Sequence, residues 1–116
     1  MPLESAVVDA ALKRLRKLGC VVIKIHGSPF SRLGEPDLIG SYQGRAFAME
    51  AKKSYDDHPT IAQCMKLLEW REAGASIGII RTADEAVRVV IRGERIGLVE
   101  ILRIQDETLG TPEDRT

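Results

Sequence analysis

Residues 34–52 constrain the fold more than any other part of the chain. Two apolar-rich runs, residues 37–42 and 45–51, flank the pair Gln43-Gly44. A glycine at the second position of a two-residue loop readily adopts the positive φ that a tight hairpin turn requires. The stretch therefore predicts a β-hairpin in which Tyr42 faces Arg45 across the turn.

In this register Asp37 lies directly opposite Glu50, and side chains in that relation have Cβ atoms about 4.5–5.5 Å apart. Two carboxylates at that distance repel each other, and a sheet gains no stability from them. A divalent cation between them would turn the repulsion into binding, because hard oxygen ligands suit Mg²⁺ and Mn²⁺. Strand alternation places Lys52 on the same face as Glu50. Together these residues predict a metal-dependent site for phosphate chemistry.

Two alternatives stay open for this cluster. Glu35 faces Lys52 in the same register, so part of the cluster is equally well explained as a cross-strand ion pair. A shift of the register by one residue would also turn every side chain to the opposite face and separate the carboxylates.

The same residues resemble a known nuclease signature. Pro36-Asp37 followed by Glu50-Ala51-Lys52 is similar to the PD-(D/E)XK motif, and the closer resemblance is to the virus-type replication-repair nuclease (VRR-NUC) domain. That domain's pattern has an early Glu in an N-terminal helix, then Gly-x-Pro-Asp-Leu, Glu-x-Lys and a helix that begins near a Gln. The resemblance covers residues 4 to about 90, and the matching positions are Glu4, residues 34–38, residues 50–52 and Gln63.

The resemblance implies a restriction-endonuclease-like α/β fold that hydrolyses phosphodiester bonds. It implies that Asp37, Glu50 and the backbone carbonyl of Ala51 hold Mg²⁺ or Mn²⁺, and that Glu4 joins them directly or through a water. Lys52 would hold the nucleophile or stabilise the phosphoryl oxygens. No organic cofactor is implied.

Two of the implied site residues also have an ordinary structural explanation. An acid in the first turn of a helix, such as Glu4, interacts favourably with the helix dipole. The family pattern places Gln63 near the scissile phosphate, whereas Thr60-x-x-Gln63 is equally the sequence of a helix capping box. Both explanations of Gln63 stay open.

Periodicity predicts the remaining elements and their order. A helix over residues 3–18, a strand over 20–25 and the hairpin come first. A helix from Thr60 to Gly74, a strand over 76–81 and a helix over 82–92 follow. We expect a last strand over residues 96–104 and a flexible acidic tail over 105–116, so that residues 1–104 form a single domain. The order of elements predicts a mixed central sheet with flanking helices.

Composition limits the classes of protein to which the chain can belong. Cys20 and Cys64 lie far apart in the 116 residues, which indicates free thiols rather than a zinc site or a disulfide framework. No apolar run reaches transmembrane length and no basic-then-apolar leader opens the chain, which predicts a cytoplasmic protein without a membrane partner.

The charge distribution suggests where DNA would bind. The net charge is zero, yet residues 13–34 carry six basic side chains and no acidic one. A basic region beside the carboxylates would meet phosphates. The candidate nucleic-acid-binding residues are Lys24, Ser28, Ser31, Arg32 and Lys53.

Three functions are compatible with these features. The first is a metal-dependent endonuclease that acts on structured or branched DNA in phage replication or bacterial repair. A chain this small offers little surface to grip a branched duplex, so we expect a homodimer. The second is a Holliday junction resolvase, which is also a homodimer. The third is a non-catalytic nucleic-acid-binding module.

Overall fold

A computed structural model describes residues 3–25 and 34–109 of the chain. The elements in these ranges are α1 (Glu4–Leu18), β1 (Val21–Lys24), β2 (Leu38–Tyr42), β3 (Arg45–Ala51), α2 (Ile61–Glu72), β4 (Ser76–Ile80), α3 (Ala83–Arg92) and α4 (Leu98–Leu109). Within this part of the chain, none of the helices combines the length and apolar character needed to cross a membrane.

The four strands form one mixed sheet in the order β1-β2-β3-β4. The pairs β1–β2 and β2–β3 are antiparallel, and β3–β4 is parallel. Parallel neighbours need a crossover connection, and α2 supplies it between β3 and β4. The predicted mixed sheet with flanking helices is therefore confirmed.

The hairpin has the predicted register. Tyr42 pairs with Arg45 and Leu38 pairs with Met49. Gln43 (φ 48°) and Gly44 (φ 80°) form the turn, and positive φ at both central positions is what a type I′ turn requires. The one-residue shift that would have separated the carboxylates does not occur.

Helices pack on both faces of the sheet and enclose two apolar cores. The first core lies between the sheet and helices α1 and α3, and it includes Val7, Leu15, Leu38, Phe47, Met49, Ile80 and Val89. The second lies between the sheet and helices α2 and α4, and it includes Ala48, Cys64, Leu67, Ile77, Ile79 and Ile101. Cys20 and Cys64 are buried free thiols, one in each core.

Strand alternation decides which face carries the carboxylates. Ile39 and Ala48 are paired and lie on the face of the second core. Because side chains two residues apart share a face, Asp37 and Glu50 point to that same face. The predicted carboxylate patch therefore lies at the end of the hairpin, on the side of the sheet that α2 covers.

The last predicted strand is wrong, because residues 98–109 form helix α4. Ile79 N donates to Ile96 O (2.9 Å), so the chain meets the edge of β4 there. Gly97 then turns it at a φ of 83°. From there, Ile101 and Ile104 contact the second core, and their separation of three residues matches a helix better than a strand. The helix also includes the first residues of the predicted tail, and residues 110–116 lie outside the described ranges.

Candidate metal centre

Three carboxylates from distant parts of the chain converge at one end of the sheet. Glu4 lies in the first turn of α1, Asp37 directly precedes β2, and Glu50 lies near the end of β3. Each offers one oxygen, and these oxygens all lie within 4.8 Å of one another. The three acids that the family pattern groups together are therefore neighbours in space.

Backbone hydrogen bonds fix Asp37. Its carbonyl accepts from Ile25 N (2.8 Å), and its Oδ2 accepts from Ala51 N (2.8 Å). The next residue, Lys52, donates its N–H to Ile80 O on the opposite side of β3 (2.9 Å). Since the N–H and C=O of one residue in a strand point to the same side, the carbonyl of Ala51 also points to the side of Asp37.

Glu50 is the most deeply buried member of the cluster, with 1% of its surface exposed. Its Oε1 accepts from Gln63 Nε2 (2.9 Å) and lies 4.0 Å from Lys52 Nζ. Its Oε2 is buried and accepts no hydrogen bond from the described residues. Burial, and next the charge of Asp37, raise the pKa of Glu50 to about 9, although Lys52 opposes this effect.

A buried oxygen without a donor is unfavourable unless another group satisfies it. The oxygens of Glu4, Asp37 and Glu50 are hard donors at a mutual distance that a small divalent cation can bridge. A cation there would both satisfy Glu50 Oε2 and relieve the repulsion between the carboxylates. The residues present therefore fit Mg²⁺ or Mn²⁺.

Gln63 caps α2 and also contacts the carboxylate cluster. Its backbone N–H donates to Thr60 Oγ1 (3.1 Å) and its Oε1 accepts from Thr60 N (2.9 Å), which completes the capping box of α2. The remaining side of the same amide donates to Glu50 through Nε2. The helix cap thus fixes the orientation of the group that contacts Glu50.

Glu4 is half-buried and lies in the first turn of α1, where the dipole explanation also places it. Burial raises the pKa of Glu4 above its ordinary value; the charge of Lys52 lowers it, and the negative charge of Asp37 raises it. Glu4 is therefore electrostatically part of the cluster as well as an acid at a helix start.

Arg81 is an important residue near the site that the sequence analysis missed. It lies directly after β4 with 6% of its surface exposed. Its Nε donates to Ser54 O (2.9 Å), its Nη2 donates to Asp57 O (2.9 Å), and its guanidinium binds the Glu100 carboxylate (3.1 and 3.2 Å). It therefore holds residues 53–58, the segment that joins Lys52 to α2. An Arg directly after a buried apolar strand was the available signal.

The predicted nucleic-acid-binding residues divide into two groups. Ser28, Ser31 and Arg32 lie outside the described residues. Lys53 is exposed directly after Lys52, whereas Lys24 at the end of β1 is 3.5 Å from a carboxylate oxygen of Asp9.

Comparison with known proteins identifies the fold. A solved structure described as a VRR_NUC domain is similar to this chain, with a TM-score of 0.63 and 26% sequence identity, over 77% of this chain and 95% of that one. The chain has the fold of a VRR_NUC domain. No protein-family model and no curated protein sequence matches it. The structural likeness bears out both the family resemblance seen in the motifs and the restriction-endonuclease-like α/β fold, and it indicates a nuclease domain.

Proposed function

We propose that the chain is a metal-dependent endonuclease that hydrolyses phosphodiester bonds of DNA. The observation that carries this proposal is the convergence of Glu4, Asp37 and Glu50 beside a buried lysine, Lys52, in a VRR_NUC fold. Carboxylates that repel one another at this distance are favourable in a protein that binds a divalent cation between them.

In this proposal Asp37, Glu50 and the backbone carbonyl of Ala51 hold Mg²⁺ or Mn²⁺, and Glu4 joins them. The ion supplies Lewis-acid chemistry: it lowers the pKa of a water and offsets negative charge on the phosphoryl oxygens. The side chain of Asp37 already has a fixed orientation for this role, because Ala51 N donates to its Oδ2 (2.8 Å).

Lys52 would act on the phosphate, and Gln63 would position Glu50 for the ion. The Lys52 ammonium is 4.0 Å from Glu50 Oε1 and only 6% of the residue is exposed, so its charge is poorly screened by water. It would orient the attacking water or stabilise the oxygens of the transition state. Gln63 occupies Glu50 Oε1, which leaves Oε2 for the ion.

Substrate affinity would come mainly from phosphate contacts. Exposed Lys53 directly follows Lys52, and we propose that Lys24, Ser28, Ser31 and Arg32 also contact phosphates. Because such binding releases counterions, it should weaken steeply as salt rises. We expect structured or branched DNA as the substrate, in replication or repair, in the cytoplasm of a bacterium or phage-infected cell.

A homodimeric Holliday junction resolvase is the second candidate. Its support is an apolar patch beside α2, where the sheet face is not covered by a helix. Val21 and Ile23 of edge strand β1 are 74% and 52% exposed there, and they line a groove with Ile39 and Trp70. We expect this patch to pair two copies, and light scattering of Val21→Lys against wild type would measure that pairing.

The deciding experiment is cleavage of linear, flapped and four-way DNA with Mg²⁺, with Mn²⁺ and with EDTA. Asp37→Asn and Lys52→Ala test the site. Asp106→Asn and Arg103→Ala are matched controls at exposed positions. Metal-dependent cleavage that both site variants lose and both controls keep supports the nuclease.

The other outcomes separate the candidates. Paired cuts in four-way DNA by a dimer would favour the resolvase over the flap endonuclease. Binding without cleavage under every metal would overturn the nuclease and leave the non-catalytic binding module. Cleavage that survives Asp37→Asn would place the site elsewhere.

A further inference from the structure

Tyr55 is an exposed aromatic side chain that is nevertheless fixed in place. It is 67% exposed, and its phenol donates to Glu85 Oε2 (3.0 Å). The guanidinium carbon of Arg81 lies 5.0 Å from the centre of its ring. Arg81 and Glu85 are 6% and 7% exposed, so both contacts are to buried charged residues. The ring therefore has a defined orientation at the surface.

The backbone on each side of Tyr55 is fixed by the same arginine. Arg81 donates to Ser54 O and to Asp57 O, both at 2.9 Å. Glu85 Oε1 accepts from the backbone N–H of Arg81 (2.7 Å), which fixes Glu85 to the same residue. Burying an arginine and a glutamate is costly, and here the two charges hold an exposed ring and a surface turn.

The turn lies beside the carboxylate cluster. Tyr55 is three residues after Lys52, and three residues span at most about 11 Å, which is roughly three nucleotides of a duplex strand. Lys52 Nζ lies 4.0 Å from Glu50 Oε1, so the turn starts directly beside the carboxylates. A DNA strand with its phosphate at the carboxylates would therefore pass close to Tyr55.

One face of the ring is available for a ligand. The Arg81 guanidinium covers one side, and the exposure of 67% leaves the opposite side open to solvent. A rigid aromatic ring with a cation behind it is suited to stack on a nucleobase, and such stacking tolerates any base because every base has a π face.

We propose that Tyr55 is a stacking platform for an unpaired DNA base within about three nucleotides of the phosphate at the Glu4–Asp37–Glu50 cluster. This inference rests on the proposed nuclease function and narrows its substrate to DNA with an unpaired nucleotide close to the cleavage position, such as a flap, a bulge or a frayed end. A base in an intact duplex stays stacked on its neighbours and cannot use the platform.

The alternative is that Tyr55 only shields Arg81 from water. Two substitutions separate these roles. Tyr55→Phe keeps the ring but loses the hydrogen bond to Glu85, whereas Tyr55→Leu removes the ring and keeps apolar cover. Tyr42→Leu, at the far end of the hairpin, is the matched control. Melting temperatures identify any variant that loses its fold.

The test uses a flapped DNA with 2-aminopurine in the first unpaired position, and a blunt duplex for comparison. Ca²⁺ replaces Mg²⁺, so that binding is measured without cleavage. We expect wild type, Tyr55→Phe and Tyr42→Leu to quench the 2-aminopurine on binding. Tyr55→Leu should lose the quenching and bind the flap about tenfold more weakly, with unchanged affinity for the blunt duplex.

Each contrary result has a distinct meaning. A folded Tyr55→Leu that binds and quenches like wild type overturns the platform, even if the protein cleaves DNA. Loss of quenching in a folded Tyr55→Phe also overturns it, because that variant keeps the ring. Quenching that depends on Tyr55 in a protein that cleaves nothing with Mg²⁺ or Mn²⁺ overturns the nuclease and leaves the platform standing.

Discussion

The carboxylate cluster and the Arg81 network both contain buried ionisable side chains. They differ in whether those side chains have partners of opposite charge. Around Arg81, charge is balanced: the guanidinium binds two carbonyls and the Glu100 carboxylate. Around Glu50, three carboxyl groups are brought together, the pKa of Glu50 rises to about 9, and Oε2 has no donor among the described residues. The first arrangement stabilises the fold, whereas the second costs stability and is useful only with a ligand. The contrast distinguishes a structural network from a candidate site without reference to any relative.

Removing the guanidinium of Arg81 should have the largest effect on the stability of the fold. We expect Arg81→Met to lower the free energy of unfolding by about 3 kcal/mol, because Glu100 loses its buried partner and the carbonyls of Ser54 and Asp57 lose their donor. Urea unfolding measures the change, and Arg95→Met at an exposed position is the control. A loss below about 0.5 kcal/mol would show that the network contributes little.

A divalent cation should give the carboxylate cluster the opposite charge that it lacks and that the Arg81 network already contains. If Glu4, Asp37 and Glu50 hold Mg²⁺ or Mn²⁺, the ion stabilises the folded chain by about 2.7 kcal/mol at a concentration of 100 times its dissociation constant. Thermal unfolding at increasing Mn²⁺ measures this gain. We expect no gain in Asp37→Asn and the full gain in Asp106→Asn. Equal gains in both variants would mean that the ion binds elsewhere.

Replacing the buried carboxyl group of Glu50 should stabilise the metal-free protein. Glu50→Gln keeps the shape and an oxygen for Gln63, and it removes a carboxyl group whose raised pKa of about 9 costs stability at neutral pH. We expect the free energy of unfolding in EDTA to rise by about 1–2 kcal/mol, while cleavage is lost. Glu107→Gln, on the exposed side of α4, is the control. A destabilised Glu50→Gln would contradict the interpretation of Glu50 as a strained ligand.

We expect the smallest effect on stability from Glu100, and this effect depends on pH. Burial by itself raises the pKa of Glu100, but hydrogen bonds with Arg81 and His58 outweigh burial and hold it below its ordinary value. A lowered pKa stabilises the fold above about pH 4.5, and this contribution is lost as pH falls through the folded-state value. Wild type should therefore exceed Glu100→Gln in stability at pH 7, and the two should converge under acid. Unfolding curves at several pH values measure the difference, and a constant gap would contradict the assignment.

The sequence predicted the parts of this molecule that depend on local rules. The turn at Gln43-Gly44 fixes the hairpin register, and the register alone places Asp37 opposite Glu50. Glu4 joined them only through the family resemblance, since no local rule relates the start of α1 to the hairpin. That these three residues bind a metal remains a prediction.

The missed features depend on contacts between distant residues. Arg81 is 27 residues from Ser54 and 19 from Glu100, and neither spacing leaves a periodic signal. Helix α4 was predicted as a strand because the apolar residues between 96 and 104 are consistent with either period. Only packing against the second core, through Ile101, decides between them.

The shared amide of Gln63 has a consequence for motion. Because one side of it closes the first turn of α2 and the other holds Glu50, transient opening of that turn would also release the carboxylate. Opening at a helix end occurs far more often than global unfolding. Amide hydrogen exchange at the start of α2 would then report how often Glu50 is released. A substrate that slows this exchange would stabilise both the first turn of α2 and the position of Glu50.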